Sequence, residues 1–98
     1  MTEESVPTQL LEVREQIDKV DHQLILLLAQ RFTLTRQVGE LKADRKLSAV
    51  DPQREAGKLA AIRELCQEHQ LNPELVSSIF SQIMAEVVKN HRRIQAAE

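Results

Sequence analysis

Aromatic side chains are scarce in this chain of 98 residues, which has two Phe, no Trp and no Tyr. Protein modules that bind nucleic acids by stacking bases on aromatic rings are therefore a poor match. The formal net charge is −2, which also argues against non-specific binding to a polyanion. We accordingly expect no nucleic-acid partner.

Cysteine is equally rare, because Cys66 is the only one in the sequence. A single cysteine excludes an intrachain disulfide framework and a multi-cysteine metal site, and its place in a predicted helix favours a small packed residue. The histidines His22, His69 and His91 show no metal-ligand spacing with carboxylates, so no metal is expected. No Ser or Cys has an activating His beside it, which gives covalent catalysis no support.

Long apolar runs are missing as well, and the run from Leu24 to Ala29 is far too short to cross a membrane. The first residues, MTEESVPTQ, are polar and acidic, so we predict no signal peptide and disorder over residues 1–6. Apolar residues make up 42% of the chain, which is enough for a core. The default expectation is a single domain over residues 1–98 in a cytoplasmic protein without membrane contact.

The strongest pattern in the chain lies between Pro7 and Arg45, where no glycine occurs before Gly39. Apolar residues recur there at steps of three and four: Leu10, Val13, Ile17, Val20, Leu24, Leu27, Leu34, Val38 and Leu41. This spacing predicts one unbroken helix of roughly 38 residues, about 57 Å long. The slot between Leu27 and Leu34 is occupied by Arg31, which places a guanidinium in an otherwise apolar seam.

A helix of that length does not fit a compact chain of this size, whose radius of gyration would be about 13 Å. The apolar seam therefore needs cover, and a second copy in a two-fold homodimer is the simplest source. Arg14 borders the seam about 25 Å from Arg31, too far to share a ligand within one chain. If two copies cross antiparallel near residue 25, Arg14 of one lies beside the section from Arg31 to Lys42 of the other.

Two further helices are predicted from their start signals. In Asp51–Pro52 and Asn72–Pro73, a capping residue precedes a proline suited to the first helical position. Helix two should end near His69, and the apolar spacing of helix three should fade from Lys89 onward. No useful stretch alternates with period two, so we predict an all-α fold of three helices and no sheet.

Several polar residues have two explanations that the pattern leaves open. Arg31 is explained either as a residue that fixes the register between helices by pairing with a carboxylate across the interface, or as a ligand-binding group. Lys42 lies on nearly the same helix face as Arg31, about 16 Å away, but is also explained as a solvated lysine near a helix end. Arg54 opposes the helix dipole and so indicates an acidic partner on the protein or on a ligand. His91 is explained either as a residue at the edge of the core or as part of a ligand-binding site.

Taken together, these residues resemble the all-α chorismate mutases over about residues 8–94. The resemblance rests on five pieces in order: Arg14-Glu15-x-Ile17-Asp18-x-x-Asp21, Leu27-Leu28-Ala29-x-Arg31, Val38-Gly39-x-x-Lys42, Asp51-Pro52-x-Arg54-Glu55, and the third helix with Phe80. It implies an intertwined homodimer whose two sites each receive an arginine from the other chain. The implied reaction is the Claisen rearrangement of chorismate to prephenate, on the route to phenylalanine and tyrosine, without a cofactor.

The resemblance also implies roles for individual residues. Arg31 and the partner chain's Arg14 would hold the two substrate carboxylates, and Lys42 would contact a carboxylate and the ether oxygen of the breaking bond. Arg54 would help to line the substrate site with positive charge, a lining that we call the cationic wall.

The ring hydroxyl would be received by Asp51 and Glu55. On helix three, Val87 and His91 occupy substrate-contact positions where many relatives have Ser and Gln. A histidine donates from one nitrogen when neutral and from both when charged. We therefore predict that His91 joins Lys42 and Arg31 as a catalytic residue.

The chemistry of a pericyclic rearrangement explains these residue types, because it needs no nucleophile and no general base. The protein holds the dianion in its reactive conformer and places donors where negative charge grows on the ether oxygen. Isochorismate–pyruvate lyase and 4-amino-4-deoxychorismate mutase on the same fold stay open as alternatives. A non-enzymatic helical dimerisation module is the alternative of another class. Activation by a separate partner enzyme, known for some relatives, also stays open.

Overall fold

The computed structural model describes residues 7–97, and all regular structure in this range is helical. The helices are α1 (Thr8–Asp44), α2 (Pro52–Glu68) and α3 (Pro73–Ala97). The predicted all-α fold of three helices is thereby confirmed for this part of the chain, with ends close to those expected. The predicted disorder of residues 1–6 lies outside the described residues.

The start signals of α2 and α3 work as the sequence predicted. An Asp51 carboxylate oxygen accepts a hydrogen bond from the backbone N–H of Arg54 at 3.1 Å. The side-chain oxygen of Asn72 accepts from the backbone N–H of Glu74 at 3.0 Å. Each bond satisfies an amide that the helix itself leaves without a partner, and a proline follows each cap.

The end of α1 is closed without a glycine. Lys46 has a left-handed backbone with a φ of 54°, and the N–H of Leu47 donates back to the carbonyl of Lys42 at 2.8 Å. This is the hydrogen bond of a Schellman-type cap, which glycine usually supports. The left-handed backbone costs about 1–2 kcal/mol for a residue with a side chain, so glycine is usual at this position. Because the sequence has Lys46 here, it did not indicate this type of cap.

The described residues form two compact units, residues 7–33 and 34–97. The second unit contains the end of α1 with α2 and α3, and in it α2 packs against α3. Ile62 and Cys66 are buried on α2, and Ser77 and His91 are buried on α3. Cys66 is 1% exposed, which confirms the prediction of a packed residue. The expectation of a single domain over 1–98 stays a prediction.

The apolar seam of α1 is exposed along its length. Its nine residues are between 41% and 61% exposed: Leu10, Val13, Ile17, Val20, Leu24, Leu27, Leu34, Val38 and Leu41. α1 comprises 37 residues and is therefore about 56 Å long. The described part of the chain does not cover this seam, as the sequence predicted.

Among residues 7–97, no helix combines the length and the apolar content that a membrane span requires.

Candidate functional site

His91 connects α3 to the last part of α1. The residue is 3% exposed, and its Nε2 lies 2.9 Å from the backbone carbonyl oxygen of Thr35. Because a carbonyl can only accept, Nε2 carries the proton. The other ring nitrogen, Nδ1, is buried and has no hydrogen-bond partner among the described residues. In the neutral form, the one N–H of the ring is therefore used within the protein.

Gly39 provides the space for this ring. A Cβ at that position would lie 2.6 Å from Cδ2 of His91 and 2.9 Å from Cδ1 of Ile94. Since φ of Gly39 is not positive, the missing side chain matters here rather than backbone freedom. Glycine inside a helix costs about 0.5–1 kcal/mol relative to alanine, and the close approach of α3 accounts for its presence.

Lys42 lies in the last turns of α1, between two backbone carbonyls that accept hydrogen bonds from α3, those of Thr35 and Leu47. It is half-buried and follows Gly39 by three residues, so both lie on one face of the helix. The backbone carbonyl of Lys42 accepts from the N–H of Leu47. The carbonyl of Leu47 in turn accepts from the side-chain amide of Gln95 at 2.8 Å. Hydrogen bonds from α3 thus reach the backbone on both sides of Lys42.

Three candidate residues share the first turn of α2. Asp51 is exposed and acts as the cap, which confirms the structural explanation of this residue. Arg54 is exposed and Glu55 is half-buried. The cap bond uses one acceptor site of the Asp51 carboxylate, which has about four.

The remaining candidates lie on α3 and in the first unit. Val87 is half-buried and precedes His91 by four residues, which places both on one face of α3. In the first unit, Arg14 is exposed and Arg31 is half-buried. They are about 25 Å apart along α1, so a single chain does not bring these two arginines together.

No group of three or more His, Cys, Asp or Glu side chains within residues 7–97 is arranged to hold a metal ion.

The sequence reasoning missed the roles of Thr35 and Gln95. Neither residue has a spacing that indicates these contacts, because each bond joins a side chain of α3 to a backbone carbonyl, that of Thr35 or that of Leu47. Gly39 was noted only as part of a motif. A glycine inside a helix, far from any turn, is a signal of close backbone approach that would have pointed to this contact.

Within residues 7–97 the regular structure is helical, and Lys and Arg side chains lie at half-buried positions, as at Arg31 and Lys42. Guanidinium and ammonium groups in such settings suit a local site for a small anion. A family model described as chorismate mutase type II matches residues 13–92. The chain belongs to this family, and the predicted resemblance is confirmed.

Individual relatives agree with this assignment. The chain is 36% identical over 78 residues to the chorismate mutase of Methanocaldococcus jannaschii, covering 80% of this chain and 78% of that protein. It is 37% identical over 78 residues to the T-protein of Enterobacter agglomerans, covering 80% of this chain but 21% of the relative. A bifunctional chorismate mutase/prephenate dehydratase of Aquifex aeolicus is 32% identical over 75 residues, or 76% of this chain and 19% of the relative.

The match therefore extends over most of the archaeal protein and about a fifth of the two larger ones. The prediction of an enzyme of the chorismate mutase type is confirmed. The alternatives of a lyase, of an amino-substrate mutase and of a non-enzymatic dimerisation module gain no support from these relatives.

Proposed function

We propose that this chain, as a homodimer, catalyses the Claisen rearrangement of chorismate to prephenate by electrostatic and conformational stabilisation, without a covalent intermediate. The observation that carries the proposal is the family match over residues 13–92, which includes all eight candidate site residues. They are Arg14, Arg31, Lys42, Asp51, Arg54, Glu55, Val87 and His91.

The two carboxylates of the substrate are bound by arginines in this proposal. Arg31 is half-buried within a seam that is otherwise apolar, and its guanidinium binds one of these carboxylates. Arg14 is exposed and reaches the site of the partner subunit. Planar guanidinium groups bind carboxylates through two parallel hydrogen bonds, which also orients the substrate.

Lys42 supplies the donor to the ether oxygen. As the carbon–oxygen bond breaks and the new carbon–carbon bond forms, negative charge grows on that oxygen. A fixed donor at such a position typically contributes about 2.7–4 kcal/mol to transition-state stabilisation. Holding the flexible dianion in its compact conformer lowers the entropic part of the barrier.

The other candidate residues shape the rest of the site. Asp51 and Glu55 accept from the ring hydroxyl, and Arg54 adds positive charge to the wall. Val87 contributes an apolar contact. His91, which the sequence predicts as a second donor to the ether oxygen, has its Nε2 proton engaged by Thr35. In this arrangement, a direct donor role would require a proton on Nδ1.

The homodimer is supported by two features of α1. Its seam leaves nine apolar side chains between 41% and 61% exposed, which a second copy would bury. Arg14 and Arg31 lie too far apart on one helix to bind a common ligand, so a shared site requires two chains. Both features have the same solution, an antiparallel pair of α1 helices.

The test is turnover of purified protein with chorismate, followed as loss of chorismate and appearance of prephenate. We expect saturable turnover whose kcat/KM falls by about 10- to 100-fold in Arg31→Ala, because a hydrogen bond to a charged carboxylate contributes about 1.5–3 kcal/mol. Arg36→Ala is the matched control, because Arg36 is an exposed arginine on the same helix, and it should behave as the parent. A parent protein that leaves chorismate unchanged but releases salicylate and pyruvate from isochorismate would contradict the proposal in favour of the lyase.

A further inference from the structure

Two side chains of α3 donate to backbone carbonyls on either side of Lys42. Nε2 of His91 lies 2.9 Å from the carbonyl oxygen of Thr35, seven residues before the lysine. Nε2 of Gln95 lies 2.8 Å from the carbonyl oxygen of Leu47, five residues after it. We call this pair of donors, His91 and Gln95, the carbonyl clamp.

We propose that the carbonyl clamp is a positioning device, in which His91 and Gln95 hold the backbone at Lys42 so that its ammonium group stays in place for the reaction. The role of Lys42 rests on the proposed function, whereas the clamp is a property of the fold. Gln95 lies beyond residues 13–92, so the family match does not include it.

The first bond of the clamp depends on Gly39. Inside a helix, the carbonyl of Thr35 already faces the N–H of residue 39, four positions on. A side chain at position 39 would collide with the His91 ring, since a Cβ there would lie 2.6 Å from Cδ2. The glycine therefore gives the imidazole access to a carbonyl that most helices would shield.

The second bond acts on the segment that leaves α1. The N–H of Leu47 donates to the carbonyl of Lys42 at 2.8 Å, and the carbonyl of Leu47 accepts from Gln95. This pair of bonds connects α3 to the backbone of Lys42 itself. The end of a helix frays readily when its last carbonyls have no partner. Lys42 lies in the last turn of α1, so this connection restrains its backbone.

A positioning role and direct donation to the substrate would use different ring nitrogens of His91. The bond to Thr35 uses Nε2, which bears a proton in this neutral tautomer and in the imidazolium form alike. A bond to the ether oxygen would use Nδ1, which bears a proton only in the charged form here. The clamp thus predicts a kcat that does not depend on protonation of His91, whereas a direct donor predicts one that does.

Two amide substitutions distinguish the nitrogens. The amide nitrogen of glutamine lies as many bonds from Cβ as Nε2 of histidine, and that of asparagine as many as Nδ1. We expect a higher kcat for His91→Gln than for His91→Asn, because only the glutamine amide lies far enough from Cβ to reach the carbonyl of Thr35. We expect His91→Asn to lose about 100-fold in kcat with little change in KM, the order expected for a displacement of about 1 Å. The reverse order of the two variants would overturn the clamp and favour a direct donor at Nδ1.

Gln95 offers a second test with a matched control. Gln95→Glu keeps the shape of the side chain but removes the N–H donor, and Gln82→Glu makes the same change at an exposed position of α3. We expect a loss of kcat in the first variant and parent-like kinetics in the second. Equal kinetics in both would overturn the role of Gln95.

Nuclear magnetic resonance tests the clamp without an activity assay, so its failure can be told from failure of the proposed function. In the full-length parent we expect the His91 proton on Nε2. We also expect faster amide hydrogen exchange at Leu47 in Gln95→Glu than in Gln82→Glu. A proton on Nδ1 instead, or unchanged exchange at Leu47, would overturn the clamp even if the parent converts chorismate. Both expected signals in a protein without turnover would leave the clamp standing and refute the proposed reaction.

Discussion

The two glycines of the chain lie in helices, but their surroundings differ. Gly39 faces His91 and Ile94, whose atoms would lie within 3 Å of an added Cβ. Gly57 has nothing within 4 Å of the same position. Alanine is the better helix former by about 0.5–1 kcal/mol at both sites. The outcome of each substitution is therefore decided by what surrounds the added methyl group.

We expect Gly39→Ala to lower the free energy of unfolding and Gly57→Ala to raise it. At position 39, overpacking costs about 1–3 kcal/mol, because the buried ring of His91 is held by Thr35 and cannot easily move away. At position 57, the helix gains about 0.5–1 kcal/mol without a collision. Urea unfolding at one protein concentration measures both changes. An increase for both variants would show that α3 adjusts freely around position 39.

At the scale of the element, α2 and α3 start with the same device but differ in what surrounds it. Asp51 caps α2 next to the candidate residues Arg54 and Glu55. Asn72 caps α3 and is not part of the proposed site. A cap of this kind contributes about 0.5–2 kcal/mol to stability. The pair therefore allows the capping role of Asp51 to be separated from its proposed role in substrate binding.

We expect Asn72→Ala to reduce stability by about 1 kcal/mol and to leave kcat/KM as in the parent. Asp51→Asn should keep stability within a few tenths of a kcal/mol, since asparagine caps as well as aspartate. It should raise KM, because the carboxylate that accepts from the ring hydroxyl is gone. Thermal unfolding and steady-state kinetics with chorismate measure the two effects. A KM equal to that of the parent in Asp51→Asn would show that Asp51 acts only as a helix cap and does not bind the substrate.

At the scale of the whole molecule, the exposed seam of α1 and the two distant arginines have one explanation. A seam with nine apolar residues at 41–61% exposure is more than a monomer usually leaves open to water. A two-fold partner would bury it and would also bring its own Arg14 to the site. Assembly and activity should then be lost together.

We expect Leu24→Glu to weaken dimer formation and turnover in parallel, because a charge at a buried seam position is costly. Mixing Arg14→Ala chains with Arg31→Ala chains should restore part of the activity, since one of the two sites in a mixed dimer is then intact. Native mass spectrometry of the mixture establishes whether mixed dimers form. Mixed dimers without activity would contradict the shared site, and so would an active protein with the mass of one chain.

Much of the fold could be predicted from local signals. The caps Asp51 and Asn72, each followed by proline, located the starts of α2 and α3, and the three-and-four spacing identified α1. The turn at Lys46 was harder, because a left-handed residue with a side chain leaves no distinctive mark in the sequence. Cys66 was predicted correctly as a packed residue, since its neighbours on α2 predicted a buried face.

The candidate site was predictable only in part. Arg31 and Arg54 stood out as cations in unfavourable local settings, and the family match includes both positions. Gly39 indicated a close approach to α1, but the hydrogen-bond partner of His91 was not predictable, because the ring bonds to a backbone carbonyl and every residue type has one. The identity of Thr35 therefore holds no information about that bond.

By itself, the sequence determined which segments are helical, where α2 and α3 begin, and the family to which the chain belongs. These properties follow from short-range periodicity, from caps and from residues in a characteristic order. Only the tertiary structure decided that His91 and Gln95 reach carbonyls on both sides of Lys42, and that Gly39 makes room for the ring. Such contacts join residues some fifty positions apart, and their geometry depends on how the helices pack rather than on any local pattern.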